Sequence, residues 1–93
     1  MDTQNKLKIP ECGLAPDLRT KDVVVGSKQL RKALAKDRAR QVYLALNADP
    51  AITEPIMARC EVNHVPYAWV CDMQDLGRAC GIEVGAAAAA VLN

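Results

Sequence analysis

Four cysteines (Cys12, Cys60, Cys71 and Cys80) and one histidine (His64) are the residues best equipped for nucleophilic or metal chemistry. Their spacing argues against both uses. No two cysteines form a Cys-x-x-Cys pair, and a single histidine supplies no second ligand of the usual kind, so no metal site is expected. Cys60 and Cys80 fall on apolar helical faces, where small buried thiols are the common case. A thiol enzyme using Cys71 or Cys80 is the weakest of the readings that remain. Neither G-x-G-x-x-G nor G-x-x-x-x-G-K occurs, which disfavours nucleotide hydrolysis. The expectation is a protein that is not an enzyme and has no catalytic residue, metal or cofactor. The chain starts MDTQNKLKIPE, without the apolar run of a signal peptide, and has no stretch long enough for a membrane span. A cytoplasmic location with reduced thiols is therefore expected.

Charge is the more informative pattern. The formal net charge is only +1, but its distribution is uneven. Residues 26–40 hold Lys28, Arg31, Lys32, Lys36, Arg38 and Arg40 against Asp37 alone. Residues 41–93 hold Arg59 and Arg78 against six acids: Asp49, Glu54, Glu61, Asp72, Asp75 and Glu83. Half of the 12 basic side chains thus crowd into one short segment, an electrostatic footprint for a polyanion. An acidic protein partner docked on the same helix is the alternative from another class.

The elements that must carry this charge follow from local pattern. With 93 residues, the chain can bury one modest core. Residues 1–22, with Pro10, Gly13 and Pro16 and no sustained periodicity, read as an N-terminal tail or surface extension. Residues 23–93 read as a single domain. Val23 to Val25 is a β-branched run ending at Gly26, and Ser27 stands where a helix N-cap belongs. In the helix that follows, Leu30, Ala33 and Leu34 form the buried stripe and the basic residues project from the opposite arc.

Gln41 to Asn47 reads as a central strand. A second helix starts at Asp49-Pro50 or at Thr53 with Pro55, burying Ile52, Ile56 and Cys60. Tyr67 and Trp69 lie on one face of the next strand, with Ala68 and Val70 on the other. Asp72 caps a third helix with Leu76, Ala79 and Cys80 as its stripe, and Gly81 takes the left-handed position after it. Too few residues follow Gly85 for a comfortable terminal helix, so the run from Ala86 to Ala90 reads as a strand covered closely on both faces. The fold class is α/β, a three-layer α/β/α sandwich with a small mixed sheet. There is no Phe and aromatic content is 3%, so modules that stack bases on an aromatic sheet are disfavoured, and Tyr43, Tyr67 and Trp69 are placed in or near the core.

Four runs together resemble a known family: GSKQLRKAL from Gly26, Asn47-Ala48-Asp49-Pro50, His64-Val65-Pro66-Tyr67, and DLGRACGIEVGAAA from Asp75. In order and spacing they are similar to the kink-turn-binding ribosomal protein family, archaeal L7Ae and its relatives, and most of all to its small bacterial branch. The resemblance covers residues 23–92. It implies a monomeric protein that binds structured RNA at a kink-turn, ribosomal RNA among the candidates, with no DNA and no membrane.

The site implied has two parts. Gly26, Ser27, Lys28, Gln29, Arg31, Lys32 and Lys36 belong to the helix end that enters an opened major groove. Ile82, Glu83, Val84, Gly85 and Ala86 belong to a loop that covers an extruded nucleotide. Lys28 is expected at guanine O6 and N7, with Lys32 supporting the same strand and Arg31 and Lys36 on phosphates. Glu83 is expected to hold the loop shape or reject phosphate. Lys28 and Gln29 stand where the archaeal relatives carry Asn and Glu, which puts target preference in question: Gln29 keeps an acceptor oxygen but loses the charge.

Overall fold

The chain alternates short strands and helices because its apolar runs are short and closely punctuated, and each helix has to fold back on the sheet that precedes it. The computed structural model describes residues 12–13, 16–19 and 21–93; the tail expected for residues 1–22 falls largely outside them. Strands are β1 (Cys12–Gly13), β2 (Val23–Val25), β3 (Ala39–Ala45), β4 (Tyr67–Val70) and β5 (Ala88–Leu92), and helices are α1 (Ser27–Ala35), α2 (Pro50–Asn63) and α3 (Met73–Ala79). The sheet order is β1-β4-β3-β5-β2. β4 runs parallel to β1 and β3, whereas β5 is antiparallel to both β3 and β2, so the sheet is mixed. Two buried clusters lie on its two faces. One joins Leu30, Ala33 and Leu34 of α1 and Ile56 and Cys60 of α2 to Val42, Leu44, Ala88 and Ala90. The other joins Leu76 of α3 and Leu18 to Ala45, Val70, Ala89 and Val91. This is the three-layer α/β/α sandwich expected, with α1 and α2 on one face and α3 on the other. The segment before Val23 contributes a strand and a core residue to it.

β5 is central and built largely of alanine. Ala88, Ala89 and Ala90 are fully buried, alternating between the two cores as strand geometry requires. Methyl groups in this position let the helical layers approach the sheet closely, so a poor strand former is held extended by packing.

Several local expectations change. The central strand spans residues 39–45 rather than 41–47, because a bulge at Arg40 starts the pairing earlier and Leu46 already enters the turn. α2 starts at Asp49-Pro50, where the Asp49 carboxylate accepts from the Ala51 amide at 2.9 Å. That phase buries Thr53, Ile56 and Cys60 and leaves Ile52 36% exposed, so Ile52 is not a core residue. Asp72 caps α3 as expected, at 2.8 Å from the Gln74 amide, and Gly81 has φ 84°. Tyr67 and Trp69 share the face of the first core and buried Val70 that of the second; Tyr43, Tyr67 and Trp69 are each half-buried. Cys71 is disulfide-bonded, which corrects the expectation of four reduced thiols. It sits in the turn between β4 and α3, its amide donating to the Gly13 carbonyl at 3.3 Å. Cys60 and Cys80 are free.

Candidate nucleic-acid interface

Three strands, β2, β3 and β4, end at the same edge of the sheet, and α1, α2 and α3 start there. β5 begins at that edge as well, so the loop before it and the start of α1 are forced together, although some 55 residues separate them in sequence. The β2–β5 ladder is extended to the junction by Gly26 N–H donating to the Ala88 carbonyl at 3.0 Å. Residues 82–87 are further fixed by Ile82 N–H to the Gly77 carbonyl at 3.1 Å, Ala86 N–H to the Met73 carbonyl at 3.0 Å and Ala45 N–H to the Ala87 carbonyl at 2.9 Å. Asn47 ties the neighbouring turn to α3, accepting from the Met73 amide at 2.9 Å.

The three helix starts at this edge differ chemically. α2 and α3 are capped by Asp49 and Asp72. α1 has no side-chain cap: its N-cap is Gly26, at φ 99° and ψ 149°, and Ser27 is already the first helical residue. The expected Ser27 cap is therefore not formed, because the chain leaves β2 through a conformation that only glycine adopts freely. The opening amides of α1 lie at the positive end of the helix dipole, with no carboxylate in its first turn. Lys28, Gln29, Arg31, Lys32 and Lys36 are all exposed.

Across the junction, Val84 is 67% exposed and Glu83 is exposed beside it, while Ile82 and Gly85 are half-buried. Ala86 is 3% exposed and belongs to the second core, so it supports the loop from beneath and offers no surface to a ligand. Among the described residues Glu83 has no hydrogen-bond partner; the loop keeps its shape through backbone bonds, and the expected holding role for Glu83 is not seen.

Lys36 lies at the far end of α1, roughly 13 Å from Ser27 at the rise of an α-helix. It joins Gln29, Lys32 and Arg38 along a groove on the sheet-edge flank of the helix. On the opposite flank a second groove is lined by Ser27, Lys28, Arg31, Lys32 and Ala35 of α1 and by Arg59 of α2. Arg38 enters the sequence reading only as part of the basic segment 26–40, and neither it nor Arg59 is among the site residues expected there. Arg59 stands in the acidic stretch and reaches the basic helix only because α2 packs beside α1, with Asn63 donating to the Leu34 carbonyl at 3.2 Å.

Little here suits covalent chemistry. Burial, with the Glu61 charge beside it, pushes the Cys60 thiol up to about 11, and burial also raises Cys80, so both stay protonated at neutral pH and are poor nucleophiles. Among the described residues no three His, Cys, Asp or Glu side chains converge as metal ligands. No helix among them is long and apolar enough to cross a membrane.

A three-layer α/β/α domain with an uncapped cationic helix end set against an exposed apolar loop defines the class of protein. The profile of the Ribosomal protein L7Ae/L30e/S12e/Gadd45 family matches residues 13–93, and the chain belongs to that family. A Bacillus pumilus protein described as an RNA-binding protein is 39% identical over 74 residues, covering 80% of this chain and 90% of that one. One from Geobacillus thermodenitrificans with the same description is 43% identical over 76 residues, covering 82% and 93%. Among solved structures, a Giardia lamblia 15.5kD RNA binding protein superposes with a TM-score of 0.74 at 29% identity, over 77% of this chain and 61% of that chain.

Proposed function

We propose that this protein binds RNA and recognises a kink-turn, in which sheared guanine-adenine pairs beside a bulge open a groove that A-form RNA otherwise keeps too narrow for side chains. The observation that carries the reading is the bond between Gly26 and Ala88, which sets a cationic helix end beside an exposed apolar loop. The two surfaces ask for different parts of one ligand. The amides of α1 with Lys28 and Lys32 suit phosphate and guanine edges. Val84, flanked by Ile82 and Gly85, suits the face of a base pulled out of its stack.

On this reading Gln29 accepts from guanine N1 and N2, and Arg31 and Lys36 serve phosphates. Glu83 discourages phosphate from the loop side, so the base enters there and the backbone does not. The relatives described as RNA-binding proteins support the broader part of this reading. The ligand is a kinked ribosomal or other ribonucleoprotein RNA, bound by a monomer in the cytoplasm and without catalysis. Gel-shift titration tests it: nanomolar binding to a kinked RNA and much weaker binding to its straight-duplex control is expected. Equal binding to both, or to neither, rejects it.

A further inference from the structure

The two grooves beside α1 carry cations contributed by different elements. On the α2 side lie Lys28 and Arg31 with Arg59; on the sheet-edge side lie Lys36 and Arg38, the latter in the turn after α1; Lys32 lines both. Among the described residues none of these six side chains forms an ion pair with a carboxylate, although Asp17–Arg19 and Asp75–Arg78 pairs form elsewhere on the surface. Six like charges held along both flanks of one nine-residue helix repel one another. A ligand that relieved the repulsion on one flank alone would leave the other unchanged.

We infer that each flank of α1 holds the phosphate backbone of a different RNA strand, with Arg59 of α2 anchoring one strand and Arg38 of the α1–β3 turn anchoring the other. The inference rests on the RNA reading above and extends the interface to two residues outside the helix end. The geometry suits it, because a helix with its side chains is about 10–12 Å across, so cations on its two flanks are held far enough apart to meet the backbones on either side of an opened groove. Lys32, on the crest of α1 between the flanks, then faces into that groove. Arg31 sits on the flank that Arg59 completes, and Lys36 on the flank that Arg38 completes.

The test pairs protein variants with RNAs in which phosphates of one strand at a time are replaced by uncharged methylphosphonates. Arg59→Ala and Arg38→Ala should each weaken binding by about threefold to tenfold and lower the slope of log affinity against log salt by about 0.7 to 0.9. Neutral phosphates on one strand should cost the parent and Arg38→Ala full affinity but cost Arg59→Ala less, by about the one contact already lost, since Arg31 still holds that strand. On the other strand the pattern should reverse. Arg59→Lys, which keeps the charge, should retain most of the parent's sensitivity. A fall in the folded fraction of a variant lowers its affinity for every RNA alike and cancels from this comparison.

If either alanine variant keeps the parent's affinity and salt slope, or if both lose sensitivity on the same strand, the inference is overturned. Failure of the kink-turn reading is seen separately, in the parent protein, as equal affinity for kinked and straight RNA.

Discussion

Gly77 of α3 lies directly beneath the carbonyl of Val84. A methyl group in place of its hydrogen would meet the Val84 oxygen well inside van der Waals contact, with the Val84 carbonyl carbon at 3.0 Å and the Gly85 Cα at 3.2 Å. All three are backbone atoms, so relief requires the loop itself to move. Gly77→Ala is expected to cost about 1–3 kcal/mol of stability, the usual range for overpacking. It should also weaken RNA binding, since residues 82–86 lose their seat. Thermal melting beside gel-shift affinity checks both; unchanged affinity would mean the loop's position does not matter to the ligand.

Val84→Asp should separate affinity from stability. The side chain is 67% exposed, so the melting midpoint is expected to stay within about 2–4 °C of the parent, the scatter of surface substitutions in a domain of this size. Affinity should fall by about 1–3 kcal/mol, because a carboxylate would be desolvated against a base and set near phosphates. Binding equal to the parent's would remove the loop from the interface.

Lys32→Ala should weaken binding to every kinked RNA by about 1–3 kcal/mol, through loss of a charge-assisted contact at a desolvated interface. Circular dichroism should stay unchanged, as the residue is exposed and alanine favours helix. Affinity unaffected by this change would take the crest of α1 out of contact with RNA.

Salt gives a fourth expectation. If about four basic residues neutralise phosphates, log affinity should fall against log salt with a slope of about three or four. A titration between low and moderate salt measures it, and a slope near zero would leave the cationic flanks without a role.

The fifth concerns pH. The Cys60 thiol, at 9.0 when unperturbed, is raised to about 11 in the folded protein, chiefly by burial. A raised thiol contributes stability that is whole below pH 9 and is lost as pH climbs through 11, because the unfolded chain ionises first. Stability should therefore decline over that window, and Cys60→Ala should flatten the decline. Tyr67, raised by the hydrogen bond from its hydroxyl to Glu61, 2.8 Å away, adds a share of the same sign that persists in the variant. Urea unfolding at a series of pH values checks the difference in slope.

Most of the architecture could be read from local signals. Asp49 and Asp72 mark helix starts by their own chemistry, and Leu30, Ala33 and Leu34 mark a buried stripe by spacing alone. What escaped depended on long-range packing. Ile52 is more apolar than Thr53, yet Thr53 turns inward because the start at Asp49-Pro50 sets the rotation of α2. Ser27 has the better capping side chain, but Gly26 has the backbone freedom the turn from β2 demands, and the backbone decides. Arg59 sits among acids in sequence and among bases in space, a reversal produced wholly by helix–helix packing. The Cys71 disulfide likewise had no local spacing to announce it.

The alanine strand β5 has a consequence for how the interface is dimensioned. Its first residue, Ala88, receives the bond from Gly26, its neighbour Ala87 is bound to Ala45, and its small side chains set how near α1 and α3 lie to the sheet. The strand thus works as a gauge block: the gap between helix end and loop is fixed by the thickness of a layer made of methyl groups. Larger side chains at 88 or 90 would lift α1 from the sheet and re-space helix end and loop, which on the function proposed above would change the RNA bends that fit before it changed whether the protein folds.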